Sequence, residues 1–194
     1  MNDQMKILKI RKLADSRFLT GRKLGKRDRP KFIAACRQIE PETTVVFDWG
    51  GVTVATSSYC DETLIHILRA IRLGDLHLYP LVVGMNENCV EEAEYALNVA
   101  GEAVWIAALK RGRIEVVRVL GRLESPYRET LSEILLRGSI SPSDYGDRPG
   151  GATAIGRTGW LNRLGYLNKS GFIRKTKIGR TTVYRPNFSE AKNG

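Results

Sequence analysis

The sequence predicts an α/β (α+β) chain: a mixed sheet with helices packed on it, followed by a smaller domain of helices and a hairpin. Three observations predict this. Over the first 123 residues short β-branched and apolar runs alternate with amphipathic helical stretches, the order that lays helices against a sheet. At residues 123–126 the character changes and a new helix start falls. Charge is also divided in blocks: residues 1–39 carry 12 Lys/Arg against 3 Asp/Glu, residues 40–123 carry 7 against 12, and residues 124–194 carry 12 against 6. We therefore place a first domain at 1–123, a second at 124–188 and a polar, frayed tail at 189–194.

The elements follow in order. "MKILKIRKL" (5–13) alternates weakly and is expected as a strand. Residues 17–36 are basic and expected to be largely helical, with Pro30 breaking or restarting the helix. Residues 45–48, rich in β-branched and aromatic side chains, form a strand, and 53–55 extend the strand system after the Gly50-Gly51 turn. From Tyr59 the pattern is helical, with Leu64, Ile67, Leu68 and Ile71 at i, i+3, i+4, i+7 and Gly74 as the stop. "LYPLVVGMN" is a second apolar strand. "ENCVEEAEYALNVAG" is a helix with acids in its first turn and a C-terminal glycine. "AVWIAAL" and "IEVVRVLG" pair as a hairpin around residues 110–113.

In the second domain Ser125 suits an N-cap and Pro126 a first helical residue. Tyr127, Leu131, Ile134 and Leu135 make an apolar stripe that Gly138 ends. A turn-rich stretch with one short helix opened by Ser141-Pro142 follows. Residues 158–170 project as a helix with Trp160, Leu161, Leu164 and Leu167 on one side. Thr158, Asn162, Tyr166 and Lys169 lie on the other, with Arg163 at its flank. Residues 172–185 form a hairpin around Ile178-Gly179, with Arg174, Lys175, Lys177 and Arg180 near its tip.

Composition narrows the function. The chain has 194 residues, 42% apolar, with no apolar run approaching the roughly 18 residues of a membrane span. The charged N-terminus lacks a signal core, so secretion is not expected. Cys36, Cys60 and Cys89 are distant and odd in number, which fits reduced thiols in a cytoplasm and excludes a local CxxC knuckle. His66 and His77 lack metal-pair spacing, and no Walker lysine or GxGxxG is present, so neither metal nor cofactor is expected. No base can be placed against the paired serines Ser57 and Ser58, so an enzyme is not expected. Cys60, beside Asp61 and Glu62, is expected as a small buried apolar residue without a lowered pKa. Glu87, Glu91, Glu92 and Glu94 read as a solvated helix face. The run Arg22, Lys23, Lys26, Arg27, Arg29, Lys31 reads as a solvated helix or as added phosphate contacts.

Residues 151–186 hold eight Lys/Arg and no Asp or Glu. Hydroxyl, amide, guanidinium and ammonium groups on one helix face are the types that pair with base edges and phosphates. The stretch "TGWLNRLGYLNKSGFIRKTKIGRTTVYRP" resembles the recognition helix and wing of bacterial winged helix-turn-helix regulators. That resemblance implies Arg157, Thr158, Asn162, Arg163 and Tyr166 toward a major groove, and Lys175, Lys177 and Arg180 on phosphate or in the minor groove; Lys169, on the same polar helix face, is a further candidate DNA contact. The alternative is a winged helix used for protein contacts.

"VVFDWGGVTVATSSYCDETL" resembles the STAS domains of anti-anti-sigma factors, where a serine at the helix start is phosphorylated. It is closer to a bacterial STAS-like domain of unknown function, matching at Val46-Phe47-Asp48, Gly51-Val52 and Ser57-Ser58-Tyr59-Cys60-Asp61-Glu62. "GRKLGKRDRPKF" upstream is similar as well. Ser57, Ser58, Asp61 and Glu62 are therefore a candidate regulatory or partner site. The structural alternative is that a serine caps the next helix while Asp61 and Glu62 sit in its positive first turn.

The combined expectation is a cytoplasmic, bacterial-type, non-enzymatic protein that binds double-stranded DNA and regulates transcription. The STAS-like domain serves dimerisation or partner and signal sensing, and a homodimer would read a palindrome. The rivals are a partner-switch interaction protein and a nucleic-acid-binding subunit of a larger complex.

Overall fold

The computed structural model describes residues 5–110, 113–147 and 156–188. The expected tail at 189–194 lies outside them. The chain divides into two units, residues 124–187 and the remainder, with Phe188 belonging to the first unit.

The first unit is built on five strands: β1 (Met5–Lys9), β3 (Thr43–Asp48), β5 (Leu78–Val83), β6 (Ala103–Lys110) and β7 (Arg113–Gly121). They lie in the order β1-β3-β5-β6-β7, parallel except for the final antiparallel pair. β3 and β5 read as near-continuous apolar runs because parallel strands are buried on both faces. Pro80 is tolerated inside β5 because β6 begins to pair only at Leu81, one residue later. With neighbouring strands in chain order, right-handed crossovers put every helix on one face. That face is the core: Val45, Phe47, Leu78, Val82, Val104, Ile106 and Leu120 pack with the buried residues of the helices. On the other face Trp105 is buried and meets Phe188 edge to face, ring centroids 5.3 Å apart.

The helices are α1 (Ile10–Ala14), α2 (Arg22–Arg37), α3 (Ser57–Cys60), α4 (His66–Leu73) and α5 (Glu87–Ala100), with a π-helical turn, Asp61–Ile65, joining α3 to α4. Leu64, Ile67, Leu68 and Ile71 are buried, as their spacing predicts. Gly74 and Gly101 end α4 and α5 in the left-handed region. Asn86 caps α5, its side chain accepting from the Cys89 amide.

Four expectations are corrected here. Residues 5–13 are not one strand; the chain turns helical at Ile10. The helix expected from 17 starts at Arg22, after the short β2 (Phe18–Leu19). Pro30 does not break it. Pro30 is exposed, where water can serve the backbone groups its ring displaces. β4 (Val54–Ala55) does not extend the main sheet but pairs parallel with β2 in a separate two-stranded sheet.

The second unit comprises α6 (Ser125–Arg137), a 3-10 helix (Pro142–Asp147), α7 (Arg157–Lys169), β8 (Ile173–Ile178) and β9 (Thr181–Pro186). β8 and β9 form an antiparallel hairpin, and Ile140 bridges to Tyr184 through two backbone hydrogen bonds of 2.8 and 2.7 Å. The N-cap of α6 is Glu124, not Ser125, which lies one residue inside and donates to Glu129 instead. Leu131, Ile134, Ile140, Trp160, Leu164, Leu167, Phe172 and Ile173 form its buried apolar set.

Candidate functional site

In the second unit, packing decides which residues of α7 face outward. Trp160, Leu164 and Leu167 are fully buried and fix the helix rotation. Thr158, Asn162 and Lys169 consequently point away and are exposed, as is Arg157 at the helix start. Arg163 is half-buried on the flank. Tyr166 is half-buried as well, its ring stacked on Tyr127 of α6 with centroids 4.0 Å apart and planes 20° from parallel. That stack fixes where the Tyr166 hydroxyl points and occupies one face of its ring. Leu161, expected in the core, is 38% exposed.

The hairpin displays its cations by register. Lys175 and Lys177 are two residues apart, so they share one face of the ribbon, opposite Tyr184 and Thr182. Arg180 stands exposed in the turn. Arg174 does not belong to this group. It pairs with Arg185 near the hairpin root and is buried. Side-chain amides fasten the scaffold: Asn168 donates to the Ile173 carbonyl at 2.9 Å and Asn187 to the Gly171 carbonyl at 2.7 Å. Arg157, Thr158, Asn162 and Lys169 are thus presented on one rigid helix, and Lys175, Lys177 and Arg180 on one hairpin.

In the first unit the paired serines do not cap their helix. The N-cap position is Thr56, without a side-chain cap bond. The Thr56 hydroxyl oxygen instead accepts from the Gly21 amide at 2.9 Å and shares a hydrogen bond with the Ser58 hydroxyl at 3.2 Å. The Ser57 amide donates to the Glu92 carboxylate at 2.6 Å. A carboxylate 35 residues away thus does what a local cap would do, and Glu92 is not part of a merely solvated face.

Asp61 and Glu62 open the π-helical turn, and such turns recur at functional sites. Glu62 is buried and held by Arg22 at 2.8 Å and Arg29 at 3.1 Å, while Asp61 takes the second bond from Arg22 at 2.9 Å. These bonds, led by that to Glu62, raise the Arg22 pKa. Asp28 is fully buried and accepts from Arg27, from the Tyr59 hydroxyl at 3.2 Å and from Lys31 at 3.4 Å. Burial, then the charge of Asp28, pushes the Tyr59 hydroxyl up. The basic run of α2 is therefore solvated along Arg22, Arg27 and Lys31, yet these side chains and Arg29 are each paired with an acid, Asp28, Asp61 or Glu62, rather than left free for phosphate. Gly25 permits this approach, since a Cβ there would lie 2.6 Å from Glu62 Cβ and 3.2 Å from the Tyr59 carbonyl.

Both nitrogens of His66 are committed. Arg29 donates to Nε2 at 2.8 Å, so Nδ1 carries the proton and donates to the Asp61 carbonyl at 2.9 Å. Neither nitrogen bonds the Ser58 hydroxyl. Burial pushes the Cys36 and Cys60 thiols up to about 12 and raises Cys89 as well. Cys60 is the small buried residue that its context predicts. Among the described residues no cluster of His, Cys, Asp and Glu could hold a metal ion, and no helix is long and apolar enough to cross a membrane.

Sequence reasoning passed over Thr56, Asp28 and Glu92. Asp28 carried no signal beyond an acid in a basic run, and Glu92 none at all, because its partner is brought to it by the fold. Compared with protein-family models, curated proteins and solved structures, the chain matches none.

Proposed function

We propose that this chain is a DNA-binding protein of the transcription-regulator kind. α7 enters the major groove as a recognition helix and the β8–β9 hairpin acts as a wing, the arrangement of a winged helix-turn-helix. The observation that carries the reading is the pairing of an acid-free surface with its geometry. Thr158, Asn162 and Lys169 are exposed on the face of α7 opposite its buried side, and Lys175, Lys177 and Arg180 on the hairpin, within a stretch of eight Lys/Arg and no carboxylate. Asn162 and Arg157 supply base-edge chemistry, and the lysines and Arg180 neutralise phosphates. The first unit, read as a STAS-like module, serves dimerisation or the sensing of a partner or signal. A pair of recognition helices on a two-fold axis would read a longer, more specific site than one.

A second reading, docking of protein by the second unit, draws on Ile178, 67% exposed beside the hairpin turn, and on the exposed Leu161. Titration of the full chain with random and selected duplexes at two salt concentrations separates them. DNA binding predicts affinity that falls steeply with salt, a slope of about −0.9 per phosphate neutralised. Absence of any salt-dependent duplex affinity rejects it and leaves docking.

A further inference from the structure

The carboxyl ends of the parallel strands β1 and β3 carry a second basic feature, separate from the residues assigned to DNA. Lys9 and Asp48 are register partners at the last positions of these strands. Beyond them lies a cleft of about 620 Å3 lined by Lys9, Arg11, Lys12, Arg17, Asp15 and Asp48. Its lining comes from the segments that follow the carboxyl ends of two neighbouring parallel strands. The volume falls within the roughly 300–1,000 Å3 of small-molecule sites.

The charge here differs in kind from that of α2. Arg22, Arg27, Arg29 and Lys31 are neutralised by Asp28, Asp61 and Glu62. Among the described residues, no ion pair engages the Lys9, Arg11, Lys12 or Arg17 side chain. Four exposed cations around one concavity outnumber its two carboxylates, and an anion placed between them is favoured electrostatically. The floor is built by close backbone approach. Asp48 Oδ1 accepts from the Gly50 amide at 2.8 Å, and a Cβ at Gly84 would lie 2.8 Å from the Gly50 nitrogen and 2.9 Å from that same oxygen. Asp48 is thereby fixed in place with Oδ2 free to accept, and the Asp15 carboxylate has no hydrogen bond among the described residues.

We propose that this cleft binds a phosphorylated small molecule of nucleotide or sugar-phosphate size. The phosphate lies among Lys9, Arg11, Lys12 and Arg17, and ligand hydroxyls donate to Asp48 and Asp15. The two carboxylates set this apart from a nucleic-acid surface. They oppose a continuous line of phosphates but suit one phosphate with hydroxyl groups beside it. The assignment is independent of the DNA reading, since it uses none of the residues of the second unit.

Calorimetric titration of the full chain with ribose 5-phosphate and ADP, beside ribose and adenosine, tests it. The phosphorylated probes are expected to bind and their parents not. The exposed pair R11Q/K12Q should weaken binding by about tenfold or more, as loss of charge-assisted hydrogen bonds does, whereas R11K/K12R stays within about threefold of wild type. Asp48→Asn should weaken ribose 5-phosphate more than inorganic phosphate. The proposal is overturned if neither phosphorylated probe binds at millimolar concentration, or if R11Q/K12Q binds as wild type does. It is also overturned if a random duplex displaces the probe and R11Q/K12Q loses duplex affinity in parallel, which would make the cleft a nucleic-acid surface. Duplex binding unchanged in R11Q/K12Q is the expected result and keeps the two activities distinct.

Discussion

Single residues show where local pattern is decisive and where it is overruled. The Ser57-Ser58 pair looks like a helix cap by type and position. Yet the free amide of Ser57 goes to Glu92, and Thr56 holds Gly21. Ser57→Ala and Ser58→Ala should therefore each cost less than the loss of a true cap, under about 0.5 kcal/mol, while Thr56→Ala removes a backbone partner at about 1 kcal/mol. Urea unfolding of the three variants checks the order, and a serine variant costlier than Thr56→Ala would contradict it. The cysteines were legible, because a thiol without a cationic neighbour follows its burial. With Cys36 and Cys60 pushed up to about 12 and Cys89 raised, the native protein should resist alkylation near pH 8 and react fully once unfolded. Mass spectrometry before and after denaturation reads this out. Glu102 is buried and its pKa is raised by desolvation, which Arg72 and Arg69 oppose. Its folded pKa lies above the unfolded one, so the stability it contributes is present below the unfolded pKa and lost as pH rises through the folded value. Glu102→Gln should gain stability relative to wild type as pH rises through that window, seen in denaturation midpoints across mildly acid pH.

At the level of elements, periodicity located the helices and strands whose two sides differ in polarity, but not those shaped by distant partners. The apolar face at 64–71 and the hairpin at 103–121 follow from spacing alone. The π-helical turn does not. It depends on Glu62 being drawn beneath α2 by Arg22 and Arg29, an arrangement written 33 and 40 residues apart. Pro30 misleads for a similar reason, since whether a proline breaks a helix depends on whether its face is wet. Gly25 is the contact point of α2 with this turn. Gly25→Ala should destabilise the first unit by about 1–3 kcal/mol, the usual cost of overpacking, because the added carbon meets backbone as well as side chain. Thermal unfolding measures it, and a neutral result would mean α2 can slide. On α7, rotation about the helix axis was legible within one residue. Leu161 was misassigned because it sits at the edge of the apolar arc, where the helix alone does not reveal how far its neighbours extend.

For the whole molecule, the boundary near residue 124 was visible as a change of charge and a new helix start, whereas the basic cleft was not, because residues 9–17 and 48–50 meet only through strand pairing. Trp160 anchors the second unit. Trp160→Ala should cost about 3–5 kcal/mol there and abolish duplex binding, while the far-UV signal of the first unit persists. Asn162→Ala should instead leave stability unchanged and weaken a selected duplex by about 1–3 kcal/mol more than a random one, and Lys177→Ala should weaken both alike. Circular dichroism paired with duplex titration distinguishes the three. The strand order β1-β3-β5-β6-β7 has one more consequence. It is also the order in which the ribosome delivers the strands. Each strand emerges with its neighbour already made, so the sheet can grow outward from β1 during translation. No strand has to be wedged between two earlier ones, and the helices that precede β3, β5 and β6 arrive in time to cover them. The β6–β7 hairpin then adds the last strand by turning the chain back on itself, just before the second unit is synthesised.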